Sequence, residues 1–330
     1  MSFDPRKIKK VETHVHLDTC LSYFFLRQLN PKMRLKDFQD EFIAPGRLID
    51  LSDFLTKITA QINILQTKKA IALAVDDLFD QLHADNVIYA ELRFAPLLHT
   101  QKGLTSEDVV ETVIAAMKCA SKSYGIEAGL ILCTLRHFDA SASMLTAELV
   151  LKYKGQGVVG LDLAADEAHY PLTNHEAAFC AVRKAGGNVI AHAGESQGAE
   201  SVLETLNKLH VSRIGHGVRS IESLELVERL KSEGILLEIC PSSNITCNVF
   251  DRIENHPIDR LKKLGVRLSV NTDARTVVNT TLNKEYQLLH DTFGWGEEDF
   301  KRCNIHALES SFLSEDAKIR LIYIINGFVE

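Results

Sequence analysis

The 330-residue chain contains no apolar run approaching the length needed to span a bilayer, which is about 20 residues. Its start, Met1-Ser2-Phe3-Asp4-Pro5-Arg6-Lys7, carries no apolar h-region, so neither a secretory leader nor an anchor is expected and the expected location is the cytoplasm. Positive charge is not in excess either. The 37 Lys and Arg against 44 Asp and Glu give a net charge of −7 with both signs interspersed, which leaves no basic stripe for nucleic acid and no polybasic patch for a membrane. A small-molecule partner is the remaining class. The seven cysteines are scattered, odd in number and form no Cys-x-x-Cys pair, a usage that fits reduced, mostly buried thiols and excludes a disulfide framework. The Asn-x-Ser/Thr matches at Asn244 and Asn279 then carry no weight. The chain also lacks a low-complexity tract, a linker and any repeat beyond the one described next, and nothing in it specifies an oligomeric state.

What is present is a large supply of core residues, 45% hydrophobic against 25% charged, arranged in eight short runs rich in Val, Ile and Leu. These predict strands at 8–17, 87–95, 127–136, 157–165, 188–194, 212–217, 235–241 and 265–273. Between them lie stretches with apolar residues at three-to-four spacing, such as Val109–Met117 and Leu224–Leu230, which predict covering helices. Eight βα units in a chain of this length read as an α/β fold, a (β/α)8 TIM barrel forming a single barrel domain over residues 1–330. The first connection, 18–86, is far longer than one crossover requires, so extra helices are expected there. Within it Leu51, Phe54, Leu55 and Ile58 form an amphipathic turn, suited either to a lid over the barrel mouth or to packing on the barrel wall.

Polar residues that can bind one metal ion cluster at the C-terminal ends of these runs, where such barrels place their chemistry. His14 and His16 are two apart on a strand and therefore point to the same side, while Val15 points away. His192 ends the fifth run and Asp273 the eighth. Three imidazoles and a carboxylate suit Zn2+, one ion, with a position left for water. Several other motifs fail on context. Gly155-Gln156-Gly157-Val158-Val159-Gly160 fits a dinucleotide fingerprint but enters a strand rather than leaving one for a helix. Asp166-Glu167-Ala168-His169 is helicase-like, yet no phosphate loop accompanies it. The Pro-Cys-x-x-Cys signature of the cytidine-deaminase fold is absent too.

His14-Val15-His16-Leu17-Asp18, Gly160-Leu161-Asp162-Leu163-Ala164-Ala165-Asp166-Glu167, His192-Ala193-Gly194-Glu195, Gly215-His216-Gly217 and Asn271-Thr272-Asp273 occur in the order seen in adenosine deaminases of the amidohydrolase superfamily. Supporting stretches are Glu91-Leu92-Arg93-Phe94, Leu132–His137 and Glu238-Ile239-Cys240-Pro241, and the resemblance covers nearly the whole chain. It implies a zinc-dependent hydrolytic deaminase of a 6-aminopurine nucleoside. That reaction adds hydroxide to C6, protonates N1 and expels ammonia. The resemblance assigns the metal to His14, His16, His192 and Asp273, the acid to Glu195, and a base or electrostatic anchor for the attacking water to His216. Asp273 serves also as an acceptor from that water, and Glu238 as the partner that orients the base. Substrate contacts fall to His16, to Asp18 at the ribose 5′-hydroxyl and to the backbone of Ala165 at purine N3.

The chain departs from the family pattern at three places. Ala165 replaces a glycine, Ala274 replaces the second aspartate that contacts N7, and Thr19-Cys20 replaces Gly-Ala. These leave the exact substrate open among adenosine, deoxyadenosine, free adenine and a modified adenosine such as aminodeoxyfutalosine. A cyclic amide or phosphoester hydrolase of the same superfamily carries a bridging lysine that does not end the fourth strand here. A catalytically silent barrel that binds nucleoside or zinc is the non-enzyme alternative. Asp166, Glu167, Arg93 and Arg136 are read as structural.

Overall fold

The computed structural model describes residues 3–328, so Met1 and Ser2, part of the start read above for a leader, lie outside the described residues. Eight strands form one parallel sheet in sequence order: β1 (Lys10–His16), β2 (Val87–Phe94), β3 (Glu127–Leu135), β4 (Val158–Ala164), β5 (Asn188–Ala193), β6 (Arg213–His216), β7 (Leu236–Ile239) and β8 (Leu268–Val270). Every expected strand is found, and the fold is the (β/α)8 barrel. The last three strands are shorter than their apolar runs, because the ends of those runs turn into the loops that carry function. β8 stops at Val270, and Asp273 stands three residues beyond it.

Helices cover the outer face. Val109–Met117 falls inside the helix Ser106–Tyr124 and Leu224–Leu230 inside Leu224–Ser232. Leu, Val, Ile and Phe side chains from strands and helices make one continuous core between the two layers. Among the described residues no helix is long and apolar enough to cross a membrane.

The long first connection holds four helices, α1 (Tyr23–Leu29), α2 (Leu35–Phe42), α3 (Leu51–Ile64) and α4 (Lys68–Ala84). Asp50 caps α3 by accepting the Asp53 N–H, and Thr67 caps α4 by accepting that of Ala70, so one turn separates two helices that run differently. α4 takes the ordinary crossover position, packed on β2 and on the helix Ser106–Tyr124. α3 instead lies over the mouth, where Leu51 and Phe54 join Cys247, Ala274 and Val277 in a separate apolar cluster. Of the two roles read from its sequence, the wall-packing one is therefore taken by α4.

The barrel closes between β8 and β1, and the closure is unusual. No regular ladder joins those strands. Val15 pairs with Asp273 in an isolated bridge, with His16 N donating to Asp273 O and Asp273 N to His14 O, each at 2.9 Å. One step lower, side chains replace backbone. Thr13 N donates to Asn271 Oδ1 at 2.9 Å, and Thr272 N to Glu12 Oε1 at 2.9 Å. Buried Arg275 then ties Glu12 (2.9 Å) to Asp85 (2.8 Å) at the end of α4.

Asn271→Ala leaves the Thr13 N–H buried without its acceptor, and should cost about 1–3 kcal/mol of stability. The check is the urea midpoint at unchanged slope; an unmoved midpoint would show that the seam does not depend on this side chain.

Candidate metal and active site

His14 and His16 reach the mouth from β1, His192 from β5, and Asp273 from the turn after β8. Their ligand atoms all lie within 4.8 Å of one another. His16 Nε2 is 3.2 Å from His192 Nε2, and Asp273 Oδ1 is 3.5 Å from His14 Nε2 and 3.4 Å from His16 Nε2.

The tautomers are fixed from behind. His14 Nδ1 faces Glu238 Oε2 at 3.1 Å, and His192 Nδ1 faces Asp162 Oδ1 at 3.2 Å. A carboxylate at Nδ1 places the proton there and leaves the Nε2 lone pair pointing forward. His14 Nε2 is completely buried and has no hydrogen-bond partner, and the lone pair of His192 Nε2 faces His16 Nε2 at 3.2 Å. Buried lone pairs are not left unpaired without a reason. The donor set fits a divalent cation with nitrogen and oxygen preference, and His14, His16, His192 and Asp273 could hold it.

Two buried arginines keep the supporting carboxylates ionised. Arg93 bonds Asp162 (2.9 Å) and Glu238 (2.7 Å), while Arg213 bonds Glu238 Oε1 (2.8 Å) and Glu91. Burial alone would raise the Glu238 carboxyl, but Arg213, Arg93 and His14 outweigh it and hold it well below the usual range. Asp273 is likewise held well below its usual range, its burial overcome by His14, His16 and His216. His16 goes the other way. Burial pushes it down to about 3, so it stays neutral and able to ligate.

Glu195 follows β5 in the loop 194–198, and it does not cap the following helix, which begins at Ala199 with Gly198 as its cap. The loop is held by Glu167. Its carboxylate accepts the N–H groups of Gly194 (2.6 Å), Glu195 (3.1 Å), Ser196 (3.0 Å) and Gln197 (3.1 Å), and the Ser201 hydroxyl. This is the loop-holding role read for it from sequence. Burial, then Asp273 and Glu167, push the Glu195 carboxyl well above its usual range. Its surroundings therefore favour the protonated carboxyl.

Glu238 requires a correction. It was expected to orient the base, yet it bonds the metal-facing His14, and the partner of His216 is Asn244, whose Nδ2 is 3.1 Å from His216 Nδ1. Asn244 also bonds Glu195 and His256. Sequence reasoning missed Asn244 and His256, because an Asn in a Pro-Ser-Ser-Asn turn and an isolated His carry no spacing signal. It missed His99 for the same reason; this side chain bridges Leu65 O at the end of α3 and Asp18 Oδ2.

These groups open into two adjoining cavities beneath α3. The inner, about 50 Å³, is lined by His16, His192, Glu195, His216, Asp273 and Ala274 together with Leu51, Phe54, Leu55 and Ile58 of α3. The outer, about 290 Å³, shares His16, Leu55, Ile58 and Ala165 with it and adds Asp18, Leu98, Leu135 and His137. Ala165, His216 and Asp273 all have left-handed φ angles, +76°, +61° and +61°, which turn the chain sharply at the strand ends or just past them.

The sequence matches the family model described as adenosine deaminase over residues 9–327. It is 36% identical over 321 residues to adenosine deaminase of Clostridium botulinum, covering 95% of this chain and 96% of that protein. Among solved structures it resembles an adenine deaminase from Arthrobacter aurescens, with TM-score 0.89, 24% identity, and 97% of this chain and 99% of that one covered. It also resembles an amidohydrolase from Burkholderia ambifaria with bound Zn, with TM-score 0.89, 21% identity, and 98% and 91% covered. At these identities the two structures carry the fold.

Asp162→Asn removes the charge behind His192 and should weaken metal affinity about 10–100-fold. Metal content after dialysis against graded chelator measures it, and affinity equal to the parent protein would show that His192 needs no such support.

Proposed function

The chain belongs to the adenosine deaminase family, and on that premise we propose that it hydrolyses the 6-amino group of adenosine or deoxyadenosine to give the inosine-type product and ammonia. Residues 1–330 act as one metal-dependent hydrolase barrel domain in the cytoplasm. The observation that carries this reading is the convergence on one cavity of four candidate metal donors and a buried Glu195 whose carboxyl is pushed well above its usual range.

The donor set suits one zinc ion, which when bound lowers the pKa of water toward neutrality. The side chains divide the remaining work. As the water oxygen bonds C6, Glu195 gives its proton to N1 and the water's proton passes to the Asp273 carboxylate. The tetrahedral C6 then expels its amino group as ammonia, carrying the proton from Asp273, and the hydroxyl proton at C6 returns to Glu195. The apolar side chains of α3 keep bulk water from the reacting carbon.

Asp18 favours a nucleoside. Among the described residues it is the one acidic side chain lining the outer cavity, and no lysine or arginine lines either cavity. A ribose 5′-hydroxyl can donate to this carboxylate, whereas a 5′-phosphate would bring a second buried negative charge with no counter-ion. Ala165 holds the left-handed angle that a glycine would take without strain, and an alanine keeps its N–H for purine N3.

Ammonia release from adenosine, deoxyadenosine, adenine and aminodeoxyfutalosine tests the proposal. The first two should turn over best. Release from none of them, by zinc-loaded protein, would favour a silent nucleoside-binding barrel instead.

Glu195→Gln should keep zinc and substrate binding and lose about 10²–10⁴ in kcat, the usual worth of a positioned proton donor. Turnover near the parent value would remove Glu195 from the mechanism.

Ala274 lines the inner cavity where the family carries an aspartate for N7, and the neighbouring Arg275 is committed to Glu12 and Asp85. With no buried polar group to strand, the enzyme should discriminate between its substrate and the 7-deaza analogue by well under the ~1–3 kcal/mol of an orphaned partner. Ala274→Asp should sharpen that preference. The ratio of kcat/KM for the two compounds in both proteins gives the answer, and a large ratio in the parent would mean that another residue reads N7.

A further inference from the structure

A chain of four hydrogen bonds runs from a backbone N–H to the reacting groups, and its direction can be read without ambiguity from its starting point. The Ile258 backbone N–H can only donate, and it donates to His256 Nδ1 at 3.2 Å. His256 is buried and neutral, so its proton is on Nε2, which faces Asn244 Oδ1 at 3.2 Å. That contact fixes the amide. Asn244 must then turn Nδ2 the other way, where it meets Glu195 Oε1 at 3.0 Å and His216 Nδ1 at 3.1 Å. The flipped amide would set its NH₂ against the His256 N–H and lose that bond.

We infer that Asn244, held by His256, is a positioning residue that decides which atoms of Glu195 and His216 carry their protons. Because Oε1 of Glu195 accepts from the amide and also faces His216 Nδ1 at 3.4 Å, Oε2 is the oxygen left for N1. Because Nδ1 of His216 accepts from the same amide, the neutral ring is protonated on Nε2. His216 lines the inner cavity, and it offers that cavity an N–H rather than a lone pair. It can hold the attacking water's oxygen by donating to it, and it cannot take the water's proton. Of the two roles read for His216, base or anchor, only the anchor is compatible with Asn244, and the proton acceptor is Asp273.

This inference rests on the proposed deaminase reading for its catalytic meaning, but its central claim is a tautomer, which can be read separately from activity. The first measurement is the ¹⁵N-histidine spectrum of the zinc-loaded protein, with the His216 signals identified by their loss in His216→Gln. Nδ1 should be unprotonated and Nε2 protonated; a proton on Nδ1 overturns the inference, whether or not any nucleoside is deaminated. The second uses adenosine turnover. His256→Leu removes the donor that fixes the amide, and should lower kcat about 10–100-fold, as loss of an orienting partner does, with KM and zinc content unchanged. His256→Gln, which restores an N–H at that point, should recover most of the loss. Unchanged kcat in His256→Leu, or a loss of kcat shared equally with zinc content and not recovered by Gln, would assign His256 a merely structural role. Should His256→Leu fail to fold, the tautomer in the parent protein decides. Failure to deaminate any compound would sink the proposed function and leave the spectrum to judge the hydrogen-bond chain by itself.

Discussion

Two carboxylates held ionised inside the barrel are what the active site depends on. Glu238 and Asp162 each sit behind a histidine, and each could place its proton correctly only if the carboxylate itself stays charged in a setting that favours neutrality. Arg93 and Arg213 supply the compensation from the barrel interior. A buried ion pair of this kind contributes little net stability, since desolvation offsets much of the attraction. Its value is directional. The guanidinium fork fixes the carboxylates, the carboxylates fix the imidazoles, and the Nε2 lone pairs meet at one point without any flexible element between them.

The same layer of the barrel contains a second carboxyl in the opposite state. Glu195 is buried beside Asp273 and Glu167, and these push its carboxyl well above the usual range. Glu167 is one of those neighbours and is also the group that gathers the backbone N–H groups of the loop carrying Glu195. One side chain thus holds the acid in place and helps keep it protonated. Acidic groups of one pocket are driven in opposite directions by their surroundings, Glu195 up and Asp273 down.

Backbone strain is concentrated where the chemistry is. Ala165, His216 and Asp273 each take a left-handed angle that costs a non-glycine residue about 1–3 kcal/mol, and all three lie at or just past a strand end. At Asp273 the turn also closes the barrel, since its N–H and C=O bond the backbone of His14 and His16. The placement of the Asp273 donor beside His14 and His16 and the closure of the barrel are consequently one structural event. α3 then covers the opening with an apolar face.

Much of this was legible in the sequence because it is periodic or local. The eight apolar runs have strand length and helical gaps, and His14 and His16 share a side of β1 because strand side chains alternate. The ligands, Glu195 and His216 stand at run ends, which a parallel barrel gathers at one mouth. The partnerships were not legible. Glu238 was assigned to the base but bonds His14, because whether a strand-end carboxylate meets one histidine or another depends on barrel stagger and on where Arg93 reaches from β2. Asn244 and His256 gave no signal at all, since their importance comes from 3 Å contacts made between residues 12 and 49 positions apart in sequence. The sequence alone determined the alternation, the strand count and the kinds of donor available at the mouth. Tertiary structure decided which donor faces which, which carboxyls are charged and which nitrogen holds a proton, because hydrogen-bond direction and desolvation are set by neighbours that only the closed barrel brings together.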